Sequence, residues 1–295
     1  MTAPPAFVSK FLVPKQGYER ESCEDAYVVW PDSRVDEGIT DRIVAALCDG
    51  ASESLLAGHW ARQLAAHCVR EIRQLPETLG TARSAADTVM AAVEAWEQWV
   101  ALYVAGRESD GRPLAWYEQP GLARGAHATL LALSLELAPD RRRGRDGDHD
   151  DLTVVLDLVR PESSRGWRWR AVALGDTCLF HIHDDRLERA FPVRTAADFG
   201  IDPALVTTGT TDTKLLGSRM AVVGGRCASG DQLYLATDAL AAWFLRSYEA
   251  GARPWDELRQ YAAQRPEEFE DFITRRRADG TMRNDDVALI HIDIA

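Results

Sequence analysis

No apolar run in this chain approaches the about eighteen residues that a bilayer-spanning helix needs. The N-terminal stretch Met1-Thr-Ala-Pro-Pro-Ala-Phe-Val-Ser-Lys10 also lacks the apolar core of a signal peptide. Cysteine is sparse and never paired as Cys-x-x-Cys. Cys23, Cys48, Cys68, Cys178 and Cys227 are odd in number and widely spaced, which favours reduced thiols and a cytoplasmic location over a disulfide framework or a zinc site. Basic residues are in deficit: 34 Lys and Arg stand against 46 Asp and Glu, a formal charge of −12. Nonspecific nucleic-acid binding needs a basic surface and is not expected, nor is attachment to anionic membranes. No internal repeat, low-complexity tract or Pro/Gly/Ser-rich joint divides the chain. With 295 residues, 46% of them hydrophobic, residues 1–295 are expected to form a single domain around a large core.

What is present is a changing period of apolar residues. Tyr27–Trp30 and Ile43–Cys48 read as strands. Leu56, Trp60, Leu64, Cys68, Ile72 and Leu75 then recur at helical spacing until Pro76. Val89, Val93, Trp96, Val100 and Tyr103 mark a second helix, which Gly106 is expected to close. From Thr129 the period falls to two, predicting strands over 129–137, 152–159, 167–174 and 179–183, with the charged Asp140–Asp151 segment as a hairpin loop. A strand over 232–237 leads into a helix over 240–248, a further helix lies between Trp255 and Arg277, and the last strand is Val287–Ile294. Strand runs interleaved with paired helices, without regular βαβ alternation, indicate an α+β layered fold.

Asp25, Asp49, Asp238 and Asp285 each stand at the end or start of an apolar run. A carboxylate at the mouth of a buried strand is costly without a positive partner. Several brought together by one sheet would repel, and a divalent cation is the usual remedy. Singly, each has an ordinary reading: Asp49-Gly50 as a turn, Asp238 as the N-cap of the helix near Leu240, Asp176 as hairpin chemistry, Asp285-Asp286 as a loop end. His181 and His183 share one strand face and read as a packed or surface pair in preference to a metal pair. His59 and His127 read as structural.

The surrounding residues resemble the metal-dependent type 2C serine/threonine protein phosphatases. Arg20-x-x-x-Glu24-Asp25-Ala is similar to their opening motif, and Ala46-Leu-Cys-Asp49-Gly50 to their strand-ending Asp-Gly. Gly125-Ala-His-Ala-Thr129 is similar to Gly-x-Thr, and Val172-Ala-Leu-Gly175-Asp176-Thr177 to Val-Gly-Asp-Ser. Leu235-Ala-Thr-Asp238-Ala239 is similar to Ser-Asp-Gly, and Asn284-Asp285-Asp286-Val-Ala-Leu-Ile to the closing Asp-Asn-x-Thr-Val strand. The likeness runs from about residue 16 to 293, six motifs in family order.

The resemblance implies a four-layer αββα sandwich, two central antiparallel sheets flanked by helices, with two Mg²⁺ or Mn²⁺ ions between the sheets. Asp49 would bridge both ions, the Gly50 carbonyl would ligate one, and Asp238 and Asp285 would hold the other. Glu24 and Asp25 would hold metal-bound waters rather than the ions. Asp176, with Asp238, matches the position of a third, weaker ion, and Arg20 would clamp phosphate oxygens. Carboxylate and water ligands suit these hard ions. Two ions about 4 Å apart activate a water for in-line attack at phosphorus, and a guanidinium forks onto two phosphate oxygens. The implied substrate is a phosphoserine or phosphothreonine protein. A noncatalytic binding module of the same fold and a small-ester hydrolase are the other readings.

The chain departs from the family pattern in places. Ala51 stands where eukaryotic members often carry a His proposed as general acid, Ala239 replaces Gly, Thr177-Cys178 replaces Ser-Arg, and Asp286 in place of Asn reads as a milder change. Together these suggest a divergent bacterial branch. Asp150-Asp151-Leu-Thr-Val imitates the closing motif, but Asp285 is preferred because it follows Asp238 and introduces the final strand. The segment 192–217 falls where relatives carry a mobile flap, or is an ordinary long connection.

Overall fold

The structure is a computed structural model that describes residues 4–137, 166–200, 203–261 and 266–295. Among these residues the strands are β1 (Ala6–Val13), β2 (Ala26–Trp30), β3 (Arg42–Cys48), β4 (His127–Ala128), β5 (Leu130–Leu137), β6 (Trp167–Leu174), β7 (Cys178–His183), β8 (Arg186–Phe191), β9 (Val206–Thr207), β10 (Ala221–Cys227), β11 (Gln232–Ala236) and β12 (Val287–Ile294). The helices are α1 (Ala57–Gln74), α2 (Ala82–Ser109), α3 (Gln119–Arg124), α4 (Thr213–Arg219), α5 (Asp238–Glu249), α6 (Pro254–Arg259) and α7 (Pro266–Ala278). One five-stranded sheet runs β1-β12-β11-β7-β8 and the other β10-β6-β5-β3-β2, with every pairing antiparallel.

Alternation explains the layers. In β3, Ile43, Ala45 and Leu47 point into the core between the sheets, while Val44, Ala46 and Cys48 point into the core beneath α1 and α2. In β12, Ala288, Ile290, Ile292 and Ile294 line the inter-sheet core, and Val287 and Leu289 face α5, α6 and α7. A strand covered on both faces is apolar at most positions, so residues 43–48 and 287–290 read as continuous hydrophobic runs, with His291 and Asp293 interrupting only the far end of β12. Three cores separate four layers, and the expected αββα sandwich is the fold.

The α1 stripe Trp60, Leu64, Cys68 and Ile72 is buried as its spacing predicts. Leu75 is not part of it: the helix stops at Gln74, leaving Leu75 53% exposed. Gly106 does not close α2, which runs on to Ser109 and ends where Gly111 takes a φ of +68°. An exposed helical glycine costs only about 1 kcal/mol, less than the packing of the surrounding turns supplies. The helix expected between Trp255 and Arg277 is two, because Pro254 and Pro266 each begin one, a position proline favours for want of an amide hydrogen. Strands β1, β4, β8, β9 and β10 escape the sequence reading. In β10 the Gly224-Gly225 pair hides the strand pattern, yet a Cβ on Gly225 would stand 2.7 Å from the Trp169 ring, so only glycine lets the strand pass. The segment 192–217 holds a short 3-10 turn, β9 and part of α4. The predicted strand 152–159, the charged loop before it and the competing Asp150-Asp151 motif lie outside the described residues.

Candidate metal centre

Antiparallel pairing sends one end of many strands to one pole of the sandwich. Asp25 precedes β2, Asp49 follows β3, Asp176 sits in the β6–β7 connection, Asp238 follows β11, and Asp285 and Asp286 precede β12. Their carboxyls feel one another. Burial first, then Asp25, Asp238, Asp176 and Asp285 in that order, push the Asp49 carboxyl well above the usual range. Asp25 is raised well above it by burial and then by Asp286, against a hydrogen bond from Thr237. Burial and Asp238 bring Asp176 up to about 6. Asp238 is raised chiefly by burial, although the Arg283 guanidinium opposes this.

The scaffold around Asp49 is tight. Its amide donates to Thr129 Oγ1 at 3.1 Å and its carbonyl accepts from the Thr129 amide at 2.8 Å. The Thr129 hydroxyl also meets that of Thr177 at 2.5 Å, tying the Gly-x-Thr and Gly-Asp-Thr motifs to the same turn. Gly50 donates to the Glu24 carbonyl at 3.2 Å, and a Cβ on it would lie 2.8 Å from that oxygen and 2.9 Å from the Ala57 carbonyl carbon. Thr237 is the N-cap of α5 and Asp238 its first residue, so Asp238 is not the capping side chain. The helix N-terminus favours its negative charge.

Asp286 is more consequential than a mild exchange for Asn. Its Oδ1 accepts from the Lys15 amide at 2.7 Å and its Oδ2 from the Glu24 amide at 2.8 Å. In this orientation an Asn would turn an NH2 donor toward one of these two amides, so it could not accept from both as placed. The carboxylate therefore clamps the segment that delivers Glu24 and Asp25. Glu24 Oε2 accepts from the Ser52 hydroxyl and lies 3.3 Å from Lys15 Nζ. Arg20 stands exposed on a one-turn 3-10 helix, Arg20–Ser22.

Arg283, Lys15 and Ser52 lie outside the sequence motifs. Arg283 contacts Asp238 Oδ2 and lies 3.2 Å from Asp285 Oδ2, placing a cation between two of the expected metal ligands. Nothing in its spacing marks it, since the contact spans 45 residues. Two buried carboxylate oxygens, Asp25 Oδ2 and Asp176 Oδ1, have no hydrogen-bond partner. Mutually repelling oxygen donors, with orphaned buried oxygens among them, fit hard divalent cations.

No family model matches the sequence, and no curated protein matches it. Solved structures do. A bacterial serine phosphatase superposes with a TM-score of 0.54 at 12% identity, covering 98% of this chain and 97% of that one. The photosystem II phosphatase PBCP superposes at 0.52 with 14% identity, covering 98% and 99%. The Mycobacterium tuberculosis serine/threonine phosphatase PstP superposes at 0.51 with 11% identity, again covering 98% and 99%. The chain has the fold of the type 2C serine/threonine phosphatases.

Proposed function

We propose that this protein is a metal-dependent phosphatase that hydrolyses phosphoserine or phosphothreonine on proteins, using Mg²⁺ or Mn²⁺. The observation that carries this reading is the convergence of Asp25, Asp49, Asp176, Asp238 and Asp285 at one pole, with buried oxygens left unpartnered. In this reading Asp49, the Gly50 carbonyl, Asp238 and Asp285 hold two ions, Asp176 with Asp238 holds a third, and Glu24 and Asp25 hold water. Such ions supply Lewis acidity and an activated water for in-line displacement at phosphorus. The chain's own part is to fix the donors. Thr129 pins Asp49, Asp286 pins Glu24, and α5 presents Asp238. Arg20, on its exposed turn, is assigned to phosphate oxygens, where a guanidinium can fork. With Ala51 in place of a histidine, the leaving oxygen takes its proton from water. Five buried, unpaired thiols suit a reducing, cytoplasmic compartment. Among the described residues no helix is long and apolar enough to cross a membrane.

The purified chain with Mn²⁺ is expected to release phosphate from a phosphothreonine peptide, with EDTA abolishing release. Asp238→Asn should lower kcat by at least about a hundredfold, the scale of losing a group that stabilises transition-state charge, while circular dichroism stays native. A metal-replete chain inert on both the peptide and p-nitrophenyl phosphate would instead identify a noncatalytic binding module.

A further inference from the structure

At the pole opposite the carboxylates, β7 ends at His183, β10 ends at Cys227, and Asp231 introduces β11. These strands belong to both sheets: β7 and β11 to one, β10 to the other. His181 Nε2 lies 3.1 Å from Asp231 Oδ2 and 3.6 Å from Cys227 Sγ. All three residues are buried, with His181 4% and both Cys227 and Asp231 2% exposed. We propose that His181 Nε2, Cys227 Sγ and Asp231 Oδ2 form a second metal site, selective for Zn²⁺, that cross-links the two sheets.

The spacing argues for an ion. A tetrahedral centre with about 2.05 Å to nitrogen or oxygen and about 2.3 Å to sulfur separates N and S donors by about 3.6 Å, and N and O donors by about 3.3 Å. The observed 3.6 and 3.1 Å match these separations closely, and all three donor atoms lie within 4.8 Å of one another. The donor set selects the metal: imidazole, thiolate and one carboxylate suit borderline Zn²⁺, whereas the opposite pole offers oxygen alone. Asp231 is held for the task. Its Oδ1 meets His183 Nδ1 at 2.6 Å and its Oδ2 accepts from the Ala228 amide at 3.0 Å. The His181 ring is fixed in turn by the edge of Trp169, 5.9 Å between centroids, which packs against Gly225. Burial holds the Cys227 thiol protonated without an ion, so ligation releases that proton to solvent. Neither a Cys-x-x-Cys pair nor a His-rich tract announces the site, and for this reason the sequence argues against zinc.

The test uses the full-length chain, stripped with EDTA and refilled with excess Mg²⁺ to occupy the carboxylate pole. One equivalent of Co²⁺ should then produce a near-ultraviolet thiolate-to-cobalt charge-transfer band, which one equivalent of Zn²⁺ removes. Cys227→Ser should abolish the band and Asp49→Asn should leave it intact, which separates this site from the proposed phosphatase centre. His183→Gln should weaken Zn²⁺ binding about 10- to 100-fold, the usual cost of losing a group that orients a ligand. Should Cys227→Ser fail to fold, His181→Gln is read by the same band. Absence of the band in the native chain, or its persistence in either folded variant, overturns the site and leaves a hydrogen-bonded latch.

Discussion

At Asp238 two kinds of cation would compete for one carboxylate. The Arg283 guanidinium contacts its Oδ2 and reaches Asp285, and the proposed ions need the same oxygens. The guanidinium is more than half exposed, so its hold on the pair is modest. Arg283→Ala is expected to tighten Mn²⁺ binding up to about fivefold, the scale of an exposed ion pair, in calorimetric titration. Weaker binding in that variant would show that Arg283 organises the carboxylates rather than competing for them. Asp286 illustrates the opposite economy of charge. Both its oxygens are occupied by backbone amides, so it is committed to holding chain segments.

At the scale of elements, the junction of β2, β3 and α1 decides whether Asp25 and Asp49 meet. Gly50 lies where the Glu24 carbonyl and the start of α1 approach so closely that no Cβ fits, and both neighbours are backbone. Gly50→Ala should therefore destabilise the chain by about 1–3 kcal/mol, as overpacking does, in urea unfolding. Mn²⁺ affinity should fall with it, because the strain separates the elements that carry Asp25 and Asp49. A stable variant with unchanged affinity would show that the junction yields freely. Helix α1 anchors the same junction: the Trp60 indole donates to the Val206 carbonyl at 3.1 Å, binding the helix to β9.

For the whole molecule, the carboxylate pole opposes folding when it is deprotonated with no cation to neutralise it. Asp25, Asp49, Asp176 and Asp238 all have folded-state values raised above the ordinary carboxylate range, Asp176 to about 6. The native state thus binds these protons more tightly than the unfolded chain. Their contribution to stability is full below the unfolded value of about 4 and is lost as pH rises through the folded values. The metal-free protein should lose the Asp176 part of this contribution between about pH 4 and about 6, and the other three carboxyls add losses of the same sign as pH rises, whereas ions bound to the deprotonated groups offset them. The gap in Tm between Mn²⁺-loaded and EDTA-treated protein should consequently widen with pH over that range. A gap that narrows would contradict the carboxylates as the ion's ligands. Asp231, at the other pole, has the opposite sign: its hydrogen bonds outweigh burial and hold it low, so its contribution is lost on acidification.

By itself the sequence determined an α+β layered fold and pointed to the carboxylates at strand ends. Strands such as β3 and β12, covered on both faces, need apolar residues over most of their length, and the α1 stripe needs helical spacing, so local pattern and tertiary environment agree. The carboxylates were legible because each adjoins a strand end and their motifs keep chain order. Three features depended on the folded chain. Gly224-Gly225 conceals β10 because its strand character comes from pairing with β6 and from the pressure of Trp169, not from its own side chains. Arg283 reaches Asp238 across 45 residues, and no spacing rule joins them. His181, Cys227 and Asp231 come together because two sheets stack at their ends, and contacts between sheets have no period in the chain. Periodicity records what each element buries, and only the packing of sheet on sheet decides which distant side chains share a site.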